Sequence, residues 1–202
     1  MFQIMLAGHW PVWILLVISV VALALIIERS VALRRVKILP PNLLNELMVL
    51  VNNKQINATV ADKLEQNSPF GRVLAAGVRN VDSSRELMKE AVEDAGAAVS
   101  HDLEKYMTTL GSIATAAPLL GLFGTVIGMI EIFAAQGPTG GANPAQLASG
   151  ISIALYATGF GLAIGIPALI AHRHFRRLID TFVNDMQVQA VRFVDLVHHG
   201  HK

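Results

Sequence analysis

The chain contains no cysteine, which excludes disulfides, thiolate zinc sites and cysteine nucleophiles without fixing a compartment. Charge is scarce as well. Of 202 residues 15% are charged and 53% hydrophobic, a balance too apolar for an ordinary soluble domain. A net charge of +1 argues against a nucleic-acid partner. There is no phosphate loop, dinucleotide fingerprint or nucleophile triad, so an enzyme is not expected; Gly159 and Gly161 sit inside an apolar run and read as packing. His172 with His174, and His198 and His199 with His201, lack acidic or cysteine companions, and neither a metal nor a cofactor is expected.

What the chain does have is long uncharged runs. Residues 10 to 27 and 106 to 130 carry no charged side chain, and between 132 and 172 only His172 can carry one. The 25-residue run reaches roughly 37 Å as a helix, against a hydrocarbon core of about 30 Å. Three spans are expected, near residues 9 to 28, 108 to 134 and 147 to 171. The first has no basic region before it and ends in Ile26-Ile27-Glu28-Arg29 rather than a small-residue cleavage site, so it reads as a retained span. Arg29, Arg34, Arg35 and Lys37 crowd its far end, while Trp10 and Trp13 mark the other interface. By the positive-inside rule the N-terminus is then outside and the C-terminus, after Arg173, Arg176 and Arg177, cytoplasmic. Glu28 and Arg29 lie at the inner boundary, where they can pair.

The expected division is an N-terminal transmembrane helix with its basic end (1–36), a cytoplasmic helical region (37–107), a second transmembrane helix (108–135), an outer loop (136–146), a third transmembrane helix (147–171) and a cytoplasmic C-terminal helix (172–202). Within the cytoplasmic region, Pro40-Pro41 breaks the helix that leaves the membrane and Asn42 is placed to cap a new one carrying Leu43, Leu44, Leu47 and Val51. A shorter helix is expected around 58 to 66, and Ser68 caps another through Val78. Ser83 and Glu86 form a capping box, from which one continuous helix is predicted to about residue 135. Leu87, Ala91, Ala95, Ala98, Asp102 and Tyr106 make its stripe for tight packing, and the C-terminal helix, with Leu178, Phe182, Met186, Val188 and Val191, packs beside it.

The later spans are built for close helix contact. Gly121, Gly124 and Gly128 leave one face of the second nearly bare, and Ala157, Gly161 and Gly165 repeat the spacing in the third. Pro118 frees a backbone carbonyl and predicts a kink. Thr125 is a hydroxyl at mid-membrane; such a threonine ordinarily bonds to a carbonyl one turn back. Glu131 is the only acid in these spans, close to the outer end and about 120° from the Thr125 face. It reads as an interfacial residue, with proton entry as the sharper alternative.

The stretch Ala117-Pro-Leu-Leu-Gly-Leu-Phe-Gly-Thr-Val-Ile-Gly128, with Ala157-Thr158 and Gly161-Leu-Ala-Ile-Gly-Ile-Pro167, resembles the MotA/TolQ/ExbB proton-channel family, and its ExbB branch most. The resemblance covers essentially the whole chain and includes Pro69-Phe-Gly-Arg-Val-Leu-Ala-Ala76. It implies an all-α membrane protein with three transmembrane helices, the second and third extended into the cytoplasm as long helices, in a pentameric bundle of the bacterial inner membrane. It further implies an ExbD-like single-span partner carrying an essential aspartate, and a TonB-like protein driven by the proton gradient for outer-membrane import. The family's two pore threonines match Thr125 and Thr158. Pro118 and Gly121 share the Thr125 face of a helix, as Ala154 and Gly165 share that of Thr158. Hydroxyls do not titrate near neutral pH. The family commonly has Gly-Ile-Ala-Glu-Ala-Leu where this chain has Gly150-Ile-Ser-Ile-Ala-Leu155, so Ile153 replaces a glutamate and the carboxylate is expected in trans. A TolQ-like subunit working with TolR and TolA, or a non-conducting oligomeric scaffold, are the alternative readings.

Overall fold

Long apolar stretches fold as helices, even across Pro118 and Pro167, because away from water nearly every backbone N–H and C=O must find its partner within the segment. The computed structural model describes residues 10–53, 55–135 and 144–199. Residues 1–9, 54, 136–143 of the expected outer loop (136–146) and 200–202, with His201 of the tail, lie outside the described residues. Among those described, the elements are α1 (Trp10–Ala32), α2 (Arg35–Ile38), α3 (Leu43–Asn52), α4 (Ala58–Asn67), α5 (Pro69–Arg79), α6 (Arg85–Leu103), α7 (Met107–Ala135) and α8 (Pro144–His199). The protein is an all-α membrane protein with three helical stretches long and apolar enough to cross a bilayer.

The contacts divide the chain into two units, one of Met1–Glu28 with Tyr106–His174 and one of Arg29–Lys105 with Phe175–Lys202. The first holds the apolar part of α1, all of α7 and the first part of α8. Only 17% of the apolar window of α1, and 28% of each of the other two, is covered by the chain itself, which leaves most apolar faces for lipid or other subunits.

The second unit has a conventional core around α5. Ser68 accepts a hydrogen bond from the Gly71 amide at 3.0 Å, Pro69 occupies the first turn, and Phe70, Val73, Leu74, Ala75 and Val78 are buried. Gly71 faces the Leu64 carbonyl of α4 too closely for any side chain. A Cβ at Gly77 would lie 2.7 Å from the Phe193 ring of α8 and 3.1 Å from Val92 of α6, so α5 is wedged against both. The C-terminal helix therefore does pack beside α6, and Arg85 of α6 donates to Asp195 of α8 at 2.7 Å.

Four local expectations are corrected. The predicted continuous helix is interrupted at Glu104–Tyr106, where Tyr106 takes a left-handed φ of 64° before α7 begins. The cap of α6 is Ser84, accepting from the Leu87 amide at 3.3 Å, one residue after the Ser83 of the expected box. Asn42 precedes α3 in a left-handed conformation (φ 72°) without a side-chain cap, whereas Asn57, not foreseen as a cap, accepts from the Val60 amide at 3.0 Å. The buried stripe of α6 is Met88, Val92, Val99 and Leu103, while Leu87 is 55% exposed; α5 and α8 select a face one residue round from the predicted one.

Candidate functional site: the seam between α7 and α8

Along the membrane segments, the small residues sit where two backbones meet. A Cβ on Gly121 would lie 2.7 Å from the Ala157 carbonyl oxygen and 3.0 Å from the Thr158 Cα. Reciprocally, a Cβ on Gly161 would lie 2.6 Å from the Ala117 carbonyl oxygen. Each helix thus presents a carbonyl to the other's glycine, a spacing that any side chain would force open. Gly124 faces the Ala157 methyl, Gly165 receives the Pro118 ring, Gly150 the Ile132 side chain and Gly111 the imidazole of His172. The facing pairs run in opposite directions, so α7 and α8 are antiparallel here. Ala154 and Ala157 are buried, as is Gly128.

Ala114, Ala117 and Ala168 are also buried and extend the seam beyond the residues singled out from sequence. The same three- and four-residue spacing of small side chains, followed further in both directions, would have found them. α1 closes against one side, with Pro11 Cβ 3.7 Å from the position of a Gly124 Cβ and the Trp10 ring edge-on to Phe123 at 6.0 Å.

The pairing of 111 with 172, 118 with 165, 124 with 157 and 132 with 150 brings Thr125 and Thr158 to the same level of the antiparallel pair. Their hydroxyls differ. Thr125 Oγ1 donates to the Leu122 carbonyl at 2.6 Å, the ordinary local bond of a helical threonine. Thr158 Oγ1 is buried with no hydrogen-bond partner. An unpaired buried hydroxyl costs about 1–3 kcal/mol, so this position carries a polar group for which the isolated chain supplies no use.

The remaining candidates lie elsewhere. Glu131 is exposed, about 9 Å along the helix from Thr125 at 1.5 Å per residue. Glu28 is exposed, whereas Arg29 is only 6% exposed and its Nη1 donates to the Leu103 carbonyl at 3.2 Å, at the C-terminal end of α6. A cation there also meets the negative end of the helix dipole. Sequence reasoning did not foresee that partner.

Residues 65–188, the stretch that contains the seam and both threonines, match the MotA/TolQ/ExbB proton channel family. The chain belongs to that family. Its relatives include an ExbB-like biopolymer transport protein of Synechocystis sp., 32% identical over 168 residues that make up 81% of this chain and 79% of the relative. The biopolymer transport protein ExbB of Helicobacter pylori is 40% identical over 91 residues (45% of this chain, 63% of that protein), and the ExbB of Pseudomonas putida 33% over 155 (74% and 46%). The matches thus span less than two thirds of the latter two proteins. Membership makes the chain a membrane subunit of a proton-channel and transport family, which is not a known class of enzymes.

Proposed function

We propose that this chain is an ExbB-like subunit which, as one of five copies in the bacterial inner membrane, surrounds an ExbD-like single-span helix and converts the proton gradient into work on a TonB-like protein. The N-terminus is periplasmic and the C-terminus cytoplasmic, as the basic flanks direct. The observation that carries this reading is the pair of threonines at one level of a seam that contains no acid of its own. Ile153 is apolar where a family glutamate is common, and Glu131 is remote, so the titrating group comes from the partner's aspartate. Threonine has several staggered side-chain wells. In this scheme the unpaired Thr158 hydroxyl turns out of the seam to accept from, or donate to, that carboxyl group, and Thr125 exchanges its Leu122 bond for the same purpose. Glu131 serves as an interfacial residue near the entry side, and Glu28 with Arg29 fixes the inner boundary.

The test is proton flux into liposomes holding the chain with and without a coexpressed single-span, aspartate-bearing partner. Flux that requires the partner, and that its Asp→Asn variant abolishes, is expected. Partner-independent flux, or none in a well-assembled complex, would overturn the reading. The closed position of Thr158 Oγ1 favours a second reading, a non-conducting scaffold, which the same absence of flux would support. Recovery of TonB rather than TolA in a pull-down separates the ExbB-like role from the TolQ-like one.

A further inference from the structure

The interruption between α6 and α7 sets two local preferences against each other. Glu104, Lys105 and Tyr106 include neither glycine nor proline, and the chain is helical on both sides of them, so propensity favours an unbroken helix. Tyr106 nevertheless stands at φ 64°, in the left-handed region where a Cβ crowds the following carbonyl and glycine is the ordinary occupant. Its carbonyl accepts from the Leu110 amide at 3.0 Å and starts α7 afresh, while the Glu104 amide bonds to the Ser100 carbonyl at 3.1 Å and ends α6. Such a conflict persists only where the surroundings impose it.

The imposing group is Arg29. In an unbroken helix the Leu103 carbonyl would accept the amide four residues on, that of Met107. Here it accepts Arg29 Nη1 at 3.2 Å, with Arg29 only 6% exposed. A charged donor at the last carbonyls of α6 also meets the negative end of the helix dipole, which strengthens the bond. We propose that residues 103–107 form a two-state joint for which Arg29 is the latch. With the guanidinium on the Leu103 carbonyl the helix is broken; with it withdrawn, Met107 bonds to Leu103 and α6 and α7 become one rod. The cost of a left-handed tyrosine and the net gain from a charged hydrogen bond are of similar size, so the two states lie close in free energy. The broken joint lets α6 and α7 move separately, and the healed one passes a displacement of either helix to the other. This assignment is independent of whether the chain conducts protons.

Amide hydrogen exchange in the full chain, purified in detergent and resolved to single residues, reads the state of the joint at Met107. Exchange there is taken relative to Leu110, whose amide bonds to the carbonyl of residue 106 in either state. Arg29→Met, which keeps an apolar stem and removes the charge, should slow Met107 about tenfold as the helix heals. Arg29→Lys, which keeps the charge but not the fork, should slow it less. Tyr106→Gly and Tyr106→Ala both lose the ring and hydroxyl and differ in backbone preference alone. Glycine favours the broken joint and alanine the continuous helix, so Met107 should exchange about tenfold faster in Tyr106→Gly than in Tyr106→Ala. That pair keeps the test valid if the Arg29 variants fold poorly. Equal exchange in the two Tyr106 variants, or exchange in Arg29→Met as fast as in the wild type, would overturn the proposal.

Discussion

The two units of this chain are held together by opposite means. In the membrane unit, α7 and α8 meet through glycine and alanine, with a carbonyl of each helix against a glycine of the other, and most large side chains point away from the chain. In the other unit the contacts are made by Phe70, Leu74, Met88, Val99 and Phe193, all nearly inaccessible, with ion pairs such as Arg79 to Asp62 and Glu65 on the outside. The difference follows from the solvent. Lipid offers no hydrophobic drive for one apolar helix to join another, so close approach of backbones does that task; in water, burial of large side chains does it. One unit is therefore sensitive to added volume and the other to removed volume.

That contrast can be broken from either side. Phe193→Ala, removing the ring that abuts Gly77, should destabilise the second unit by about 3–5 kcal/mol, read as a lower thermal midpoint in detergent. Gly121→Val should cost the membrane unit about 3 kcal/mol, the upper end of overpacking penalties, because the obstacle is the Ala157 carbonyl rather than a side chain that can turn away. Ser68→Ala should remove about 1 kcal/mol by leaving the Gly71 amide without its cap. Gly159→Ala meets no atom of the chain within 4 Å, so it should change stability by less than about 1 kcal/mol; a large loss would place another subunit against that face. The smallest effect concerns pH. Because Arg72 depresses the folded pKa of Asp102, its contribution is present above the ordinary carboxylate range and lost as pH falls through the depressed value. Asp102→Asn should accordingly flatten the acid limb of the stability curve slightly and leave neutral pH behaviour nearly intact.

The membrane segments were readable because charge is absent from them, and the seam because Gly121, Gly161 and their neighbours recur at helical spacing. Ser68 with Pro69 announced α5 for similarly local reasons. Other features depend on distant partners. Nothing in Glu104-Lys105-Tyr106 breaks a helix by propensity, yet the helix is interrupted there, and the Leu103 carbonyl just before the interruption is taken by Arg29, far away in sequence. The face of α6 could not be settled by periodicity because Met88 and Val92 are selected by α5 and α8 rather than by α6 itself. The threonines stood out by residue type, but only the antiparallel register brings them level, and only the packed seam leaves one hydroxyl paired and the other not.

The most direct measurement is partner-dependent proton flux through assembled complexes carrying Thr125→Val or Thr158→Val, shapes that keep the packing and delete the hydroxyl. Flux reduced at least about tenfold in both, with the subunit ratio unchanged and the thermal midpoint not lowered (raised in Thr158→Val, which removes the unpaired hydroxyl), is the predicted result, a loss of about 1.4 kcal/mol of barrier stabilisation or more. Wild-type flux through both variants would contradict the claim that the level pair of threonines forms the polar part of the proton path.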